Sequence, residues 1–169
     1  VSAEGTDHRL PVLAVLGAAA ATPEQEEVAL AVGRLAARHG WVVLTGGGPG
    51  VMAAACRGAV EAGGLTVGVL PVARATPDYP NPWVRIPVFT GAGMARNAFN
   101  VLSGALCVAI GGGAGTLSEV ALALKAGVEV WWWGEWRLEP PADLTTARPR
   151  WFADPTDLVR ALGERLARS

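Results

Sequence analysis

Between Ile86 and Val128 only three side chains carry a strong charge: Arg96, Glu119 and Lys125. In so apolar a segment, an arginine and a glutamate off any obvious solvent-facing stripe pair with each other or meet a ligand. Glu119 closes the stretch GGGAGTLSE (111–119), and Arg96 sits in TGAGMARNAFN (90–100), a glycine-containing turn between a strand-like run and a helix. Two bland readings compete with chemistry. The pair can be a buried structural salt bridge. Alternatively, Thr116-Leu-Ser-Glu119 fits a capping box, in which the acid reaches back to a helix-start amide. Pattern alone leaves these readings open.

The glycines around these charges suggest an anion. TGGGPGVMAAACRGA (45–59) and AIGGGAGTLSEVALALKAG (109–127) each follow a strand-like run and enter a helix-like one. Missing side chains permit close backbone approach, and a helix start offers unpaired N–H groups and partial positive charge. Phosphate is the ligand such ends favour. Gly46, Gly47 and Gly48 in the first loop, and Gly111, Gly112, Gly113, Gly115 and Thr116 in the second, are the candidate binding residues. Glycine also serves plain turns, so each loop alone is weak evidence. A carboxylate within one turn of phosphate, roughly 4.5 Å along the axis, would repel it unless aimed at another part of the ligand. A ribose hydroxyl suits Glu119, while Arg96 can offset the charge through its fork of donors.

Standard nucleotide motifs fail. Val51 and Thr116 stand where the third glycine of a dinucleotide fingerprint belongs. A Walker loop needs a lysine before its Ser/Thr, and the chain's single lysine, Lys125, lies well inside the following helix. ATP hydrolysis and a pyridoxal-phosphate Schiff base on that lysine are both disfavoured.

The elements that must position these residues read as repeated strand and helix units. TPEQEEVALAVGRLAARHG carries Thr22 as N-cap, Pro23 at the first position, Gln25 completing a capping box and Gly40 as stop, with Val28, Val32, Leu35 and His39 on one face. Strand-like runs flank it, VLAVLG before and WVVLTGG after, and recur at 66–71, 84–89, 105–112 and 128–133. Most are continuously apolar, as a sheet covered on both faces demands. The expected fold is α/β: a single-domain, Rossmann-like doubly wound sheet, mostly parallel, with helices on both faces, spanning residues 1–169 with 1–10 as an N-terminal tail. A last helix starts at Asp154 and Pro155 with Leu158, Leu162 and Leu166 on one stripe, and 134–150 reads as a surface excursion before it. Trp131, Trp132 and Trp133 alternate between the two faces of a strand, for core or subunit contact.

Composition narrows the partners. The chain of 169 residues is 51% hydrophobic, enough for one core, and its net charge of -1 gives no basic excess for nucleic acid. The apolar run 12–21 is too short to span a bilayer, so a cytoplasmic protein is expected. Cys56 and Cys107 read as buried thiols, and two histidines are too few for a zinc site, so no metal is expected.

In their order, TGGGPGVM, GMARN and GGGAGTLSE resemble the motifs of the Lonely guy proteins, often mislabelled lysine decarboxylases, which are cytokinin riboside 5'-monophosphate phosphoribohydrolases. Their hallmark PGGxGTxxE appears here with Gly111 in the proline position, and their catalytic arginine falls on Arg96. The resemblance covers about residues 12–130, and three ordered motifs are far more specific than one. Gly111, and the absence of the histidine and lysine that flank the family's arginine, look closer to a neighbouring branch. That branch includes the molybdenum cofactor carrier proteins, which share the fold and bind a phosphorylated pterin.

The resemblance implies a nucleoside 5'-monophosphate as substrate, cleaved between base and ribose through an oxocarbenium-like transition state without cofactor or metal. Residues 111–116 would hold the 5'-phosphate, Glu119 would contact ribose and stabilise positive charge or orient water, and Arg96 would position both. Gly46, Gly47 and Gly48 would line the sugar or base side. The alternative it implies is a non-catalytic carrier of molybdenum cofactor or another phosphorylated ligand. Family members are usually dimers with sites near the subunit interface, so a homodimer or higher homo-oligomer is implied.

Overall fold

Burial of continuously apolar strands between two helical layers organises the chain. In the computed structural model, which describes residues 8–137 and 148–168, seven strands form one sheet in the order β4-β3-β2-β1-β5-β6-β7, every neighbouring pair parallel. The strands are β1 (Val12–Gly17), β2 (Val42–Thr45), β3 (Thr66–Leu70), β4 (Ile86–Phe89), β5 (Leu106–Ile110), β6 (Val130–Trp133) and β7 (Arg150–Phe152). The helices are α1 (Pro23–Arg38), α2 (Val51–Glu61), α3 (Arg96–Ser103), α4 (Ala114–Lys125) and α5 (Pro155–Leu166), with a short 3₁₀ turn at Gly93–Ala95.

Alternate residues of each central strand feed opposite layers. On β1, Leu13 and Val15 join Val32 of α1, Ala55 of α2 and Leu158 of α5 in one core. Ala14 and Leu16 join Val101 of α3 and Val120 of α4 in the other. The tryptophan run obeys the same rule: Trp131 packs with Phe152 on the first side, and Trp132 stacks on Trp151 at 4.6 Å on the second. Full burial of Leu158, Leu162 and Leu166 docks α5, each such side chain contributing about 1.5–3 kcal/mol.

The helix starts read from sequence are present at both ends of the chain. Thr22 Oγ1 accepts from the Gln25 amide at 3.2 Å while Gln25 Oε1 accepts from the Thr22 amide at 3.1 Å. Asp154 caps α5 through the Thr156 amide at 2.7 Å. His39 departs from the expected face, because it is the exposed C-cap of α1. The β4 run, apolar in sequence, is exposed along its whole length, since it is an outer strand with Pro87 on it.

Within the expected surface excursion 134–150, residues 138–147 lie outside the described residues, as do residues 1–7 of the expected tail. The excursion ends in the short edge strand β7, which pattern reading did not anticipate. Three residues are too few to show a period.

The order places β1 between β2 and β5, where the direction of sheet growth reverses. At such a switch point the loops after the strands diverge and leave a crevice.

Candidate functional site

The crevice at the carboxyl ends of the strands is a cavity of about 490 Å³. Its walls come from the loops after β1, β3 and β5, from the start of α2, and from the 3₁₀ turn and α3. The turn after β5 leads into it. Gly111 has φ +55° and Gly112 φ +100°, left-handed conformations that turn the chain sharply into α4. Proline, fixed near -65°, could not take the conformation of Gly111.

Tryptophans hold this turn from behind. Trp132 Nε1 donates to the Gly111 carbonyl at 3.2 Å, Trp136 Nε1 donates to the Gly112 carbonyl at 3.0 Å, and the Gly111 amide donates to the Trp133 carbonyl at 2.7 Å. With its carbonyls engaged, the turn delivers α4 with Gly113 as N-cap and no side chain capping that end. The first amides of a helix have no intrahelical acceptor, so they remain available to a ligand. Gly113, Ala114, Gly115, Thr116 and Ser118 line the cavity here, and a Cβ at Gly113 or Gly115 would meet nothing within 4 Å.

The capping reading of Glu119 does not survive this geometry. Thr116 lies inside the first turn of α4, three residues past the N-cap, and Glu119 is further along the helix. Glu119 instead faces α3, where Arg96 and Asn100 are one turn apart on the same side. Arg96 Nη1 donates to Glu119 Oε1 at 3.1 Å and Asn100 Nδ2 donates to the same oxygen at 2.8 Å. Glu119 is 7% exposed. Burial pushes its carboxyl above the ordinary range, against the hydrogen bond from Asn100 and the charge of Arg96, which pull it down. Two atoms of the cluster, Arg96 Nε and Asn100 Oδ1, are buried with no hydrogen-bond partner. Asn97 Nδ2 adds a further tie between the helices, donating to Ser118 Oγ at 3.1 Å.

The TGGG loop after β2 supports this cluster from below. A Cβ on Gly46 would come within 2.6 Å of the Arg96 guanidinium, so the bare backbone is the seat of that side chain. The Gly47 amide donates to Thr45 Oγ1 at 3.0 Å. Asn81, also buried, clamps the loop: its amide donates to the Gly47 carbonyl at 2.8 Å and its Nδ2 to the Gly48 carbonyl at 2.9 Å.

The candidate residues read from sequence therefore divide. Arg96, Glu119, Gly113, Gly115 and Thr116 line the cavity together, whereas Gly111, Gly112, Gly46, Gly47 and Gly48 shape it from behind. Sequence reasoning missed Asn100 and Asn81, and it passed over the cavity-lining Met52, Tyr79 and Met94. The spacing of four between Arg96 and Asn100 was the signal available for the first.

Among the described residues no group of three or more His, Cys, Asp or Glu could hold a metal ion. Burial pushes the Cys56 thiol up to about 11 and the Cys107 thiol up to about 12, leaving both as inert core groups. Lys125 is exposed in the last turn of α4, at the opposite end of the helix from the cavity. Among the described residues no helix is long and apolar enough to cross a membrane.

Known proteins resemble this chain in sequence and in structure. A protein of Archaeoglobus fulgidus without an assigned function is 40% identical over 122 residues, which are 72% of this chain and 79% of that one. The solved structure of the molybdenum cofactor binding protein from Rippkaea orientalis is 39% identical with a TM-score of 0.72, covering 95% of this chain and 88% of that chain. The molybdenum cofactor carrier protein of Chlamydomonas reinhardtii is 37% identical with a TM-score of 0.75, covering 95% and 100%. Residues 10–148 match the SLOG cluster4 family along most of the chain, and on that match the protein belongs to this family.

Proposed function

We propose that the protein binds and carries a phosphorylated small molecule, with the molybdenum cofactor, a phosphorylated pterin, as its cargo. One observation carries this reading: the uncapped start of α4 opens, through bare Gly113 and Gly115, into the cavity at the switch point of the sheet. Aligned amides and the helix dipole favour a phosphate there. Similarity over 95% of the chain to proteins named for binding or carrying that cofactor supports the identity of the cargo. Among the described residues, the one arginine that lines the cavity is already matched by Glu119. The Ser118 hydroxyl is engaged too, donating to the Gly115 carbonyl at 2.7 Å. Backbone amides and the Thr116 hydroxyl must therefore do most of the anion binding, which suits a phosphomonoester better than a triphosphate.

A second reading has its own observation. Glu119 lines the cavity with one carboxylate oxygen held by two donors, which leaves the other to meet a ligand. A carboxylate so placed beside a phosphate site could stabilise positive charge on ribose, as in a nucleoside 5'-monophosphate phosphoribohydrolase, without a cofactor. Mass spectrometry of the small molecule retained on purification separates the two readings when it is followed by incubation with AMP and isopentenyl-AMP. A retained pterin and no release of free base support the carrier. Release of base and ribose 5-phosphate that is lost in Glu119→Ala supports the hydrolase.

We also infer a homo-oligomer. Leu102 of α3 and Leu122 of α4 are exposed around one apolar hollow between the two helices, and Phe99 of α3 is exposed as well, apolar surface of the kind that subunit contact covers. Light scattering of the purified protein tests it, with a monomeric mass as the contrary result.

A further inference from the structure

The chain has two methionines and one tyrosine, and all three line the same cavity. Met52 comes from the start of α2, Tyr79 from the segment between β3 and β4, and Met94 from the 3₁₀ turn before α3. Met52 and Tyr79 converge over Gly48. A Cβ there would lie 2.7 Å from the Met52 methyl carbon and 3.2 Å from the Tyr79 ring, so only a glycine lets both side chains settle on the loop. Tyr79 is fixed in place by a tight turn, in which the Thr76 amide donates to the Tyr79 carbonyl at 2.7 Å and the Tyr79 amide donates to Thr76 Oγ1 at 3.2 Å. Met94 lines the cavity although it is 88% exposed, which puts it at the mouth, where an apolar side chain gains contact only when something fills the space.

From this placement we infer a ring subsite: Met52, Tyr79 and Met94 receive a planar heteroaromatic ring while the start of α4 holds that ligand's phosphate. Thioethers are polarisable and mould to ring edges and faces, and a phenol ring stacks on a flat heterocycle without reading its identity. The surface offers contact area and few fixed polar groups, so purine and pterin share the chemistry it recognises. The assignment rests on the phosphate reading above and adds to it the side chains that meet the ring attached to that phosphate.

Equilibrium dialysis of three probes tests it: AMP, neopterin phosphate and the ring-free ribose 5-phosphate, against wild type, Tyr79→Leu and Met94→Ala. For wild type, at least one ring-bearing probe binds more tightly than ribose 5-phosphate by about tenfold, the scale of one stacked base. Tyr79→Leu and Met94→Ala shrink that margin severalfold while ribose 5-phosphate binds as before, which also certifies that the variants are folded. Preference for AMP or for neopterin phosphate tells purine from pterin, and either supports the subsite. Equal binding of all three probes to wild type, or a margin that survives both substitutions, overturns the subsite and leaves the phosphate reading standing. Binding of none of them overturns the phosphate reading and the subsite with it.

Discussion

Gly46 is the seat of Arg96: a Cβ on the glycine would come within 2.6 Å of the guanidinium carbon and both terminal nitrogens. The first glycine loop thus acts on the second through a charged side chain, because the same guanidinium reaches Glu119 on α4 at 3.1 Å. Gly46→Ala should displace Arg96 from the carboxylate. Overpacking of this kind costs about 1–3 kcal/mol, to be read from urea denaturation. We expect a parallel loss of ligand affinity, and unchanged stability and affinity would show that Arg96 is not seated as described.

The buried ion pair makes a sharper demand. Removing one partner of such a pair leaves an uncompensated charge and costs about 3–5 kcal/mol. Arg96→Met should therefore destabilise strongly near neutral pH, with Asn100 the remaining donor to Glu119. The double substitution Arg96→Met with Glu119→Gln removes both charges and should recover most of that loss. A double variant no more stable than Arg96→Met in denaturant titration would contradict the coupling.

Stability should depend on pH through Glu119, with a defined sign. Burial holds its folded-state pKa above the unfolded value of 4.5. Between those two values the native state binds more protons than the unfolded chain, so stability falls as pH rises through that window. The contribution is complete below the ordinary carboxylate range and is lost once pH passes the folded-state pKa. Glu119→Gln removes the titrating group. Its stability should change less between about pH 4 and about pH 8 than that of wild type, whatever leaving Arg96 unmatched costs at both. One kcal/mol corresponds to roughly 2–4 °C in a chain of this size, so wild type should lose a few degrees more across that range. A wild-type protein that loses no more than Glu119→Gln would show the ionised carboxylate to be net stabilising.

Trp132 should matter beyond its packing. Its indole, fully buried and stacked on the partly buried Trp151, donates to the Gly111 carbonyl at 3.2 Å. Trp132→Phe keeps a ring there and removes the donor, leaving a buried carbonyl short of a partner at a cost of about 1–3 kcal/mol. Calorimetric melting checks the stability. A loss of anion affinity alongside it is expected, since that hydrogen bond helps to aim the turn that delivers α4.

How far these features could be read from sequence varied with how local their causes are. Thr22 and Gln25 formed the capping box their spacing announces, because both act within one turn of backbone. Thr116 and Glu119 carry the same spacing and form none. Left-handed Gly111 and Gly112 start the helix three residues earlier, at Gly113, and that shift is decided by Trp132, Trp133 and Trp136 from another part of the chain. Parallel order could be read from apolar runs separated by helices, while β7 is too short to show a period and is held in register by Trp131, Trp132 and Trp133 of β6. Arg96 and Glu119 stood out as isolated charges. Asn100 did not, because an asparagine in a helix attracts notice only once the facing carboxylate is known. The division of the glycines into those that line the cavity and those that stand behind it depends on the side chains of Arg96, Met52 and Tyr79, which no local pattern encodes.

The claim that the start of α4 holds phosphate is tested most directly at Gly115. Its Cβ position is open, its φ is not left-handed, and it sits in the first turn of the helix. Gly115→Asp therefore fits sterically, and a carboxylate there favours the helix dipole while repelling a bound anion. Titration calorimetry with neopterin phosphate, together with a melting curve, separates the two effects. We expect an unchanged or raised melting temperature and an affinity lower by at least about tenfold, the equivalent of 1.4 kcal/mol. A well-folded Gly115→Asp protein that binds the phosphorylated ligand as wild type does would contradict the account.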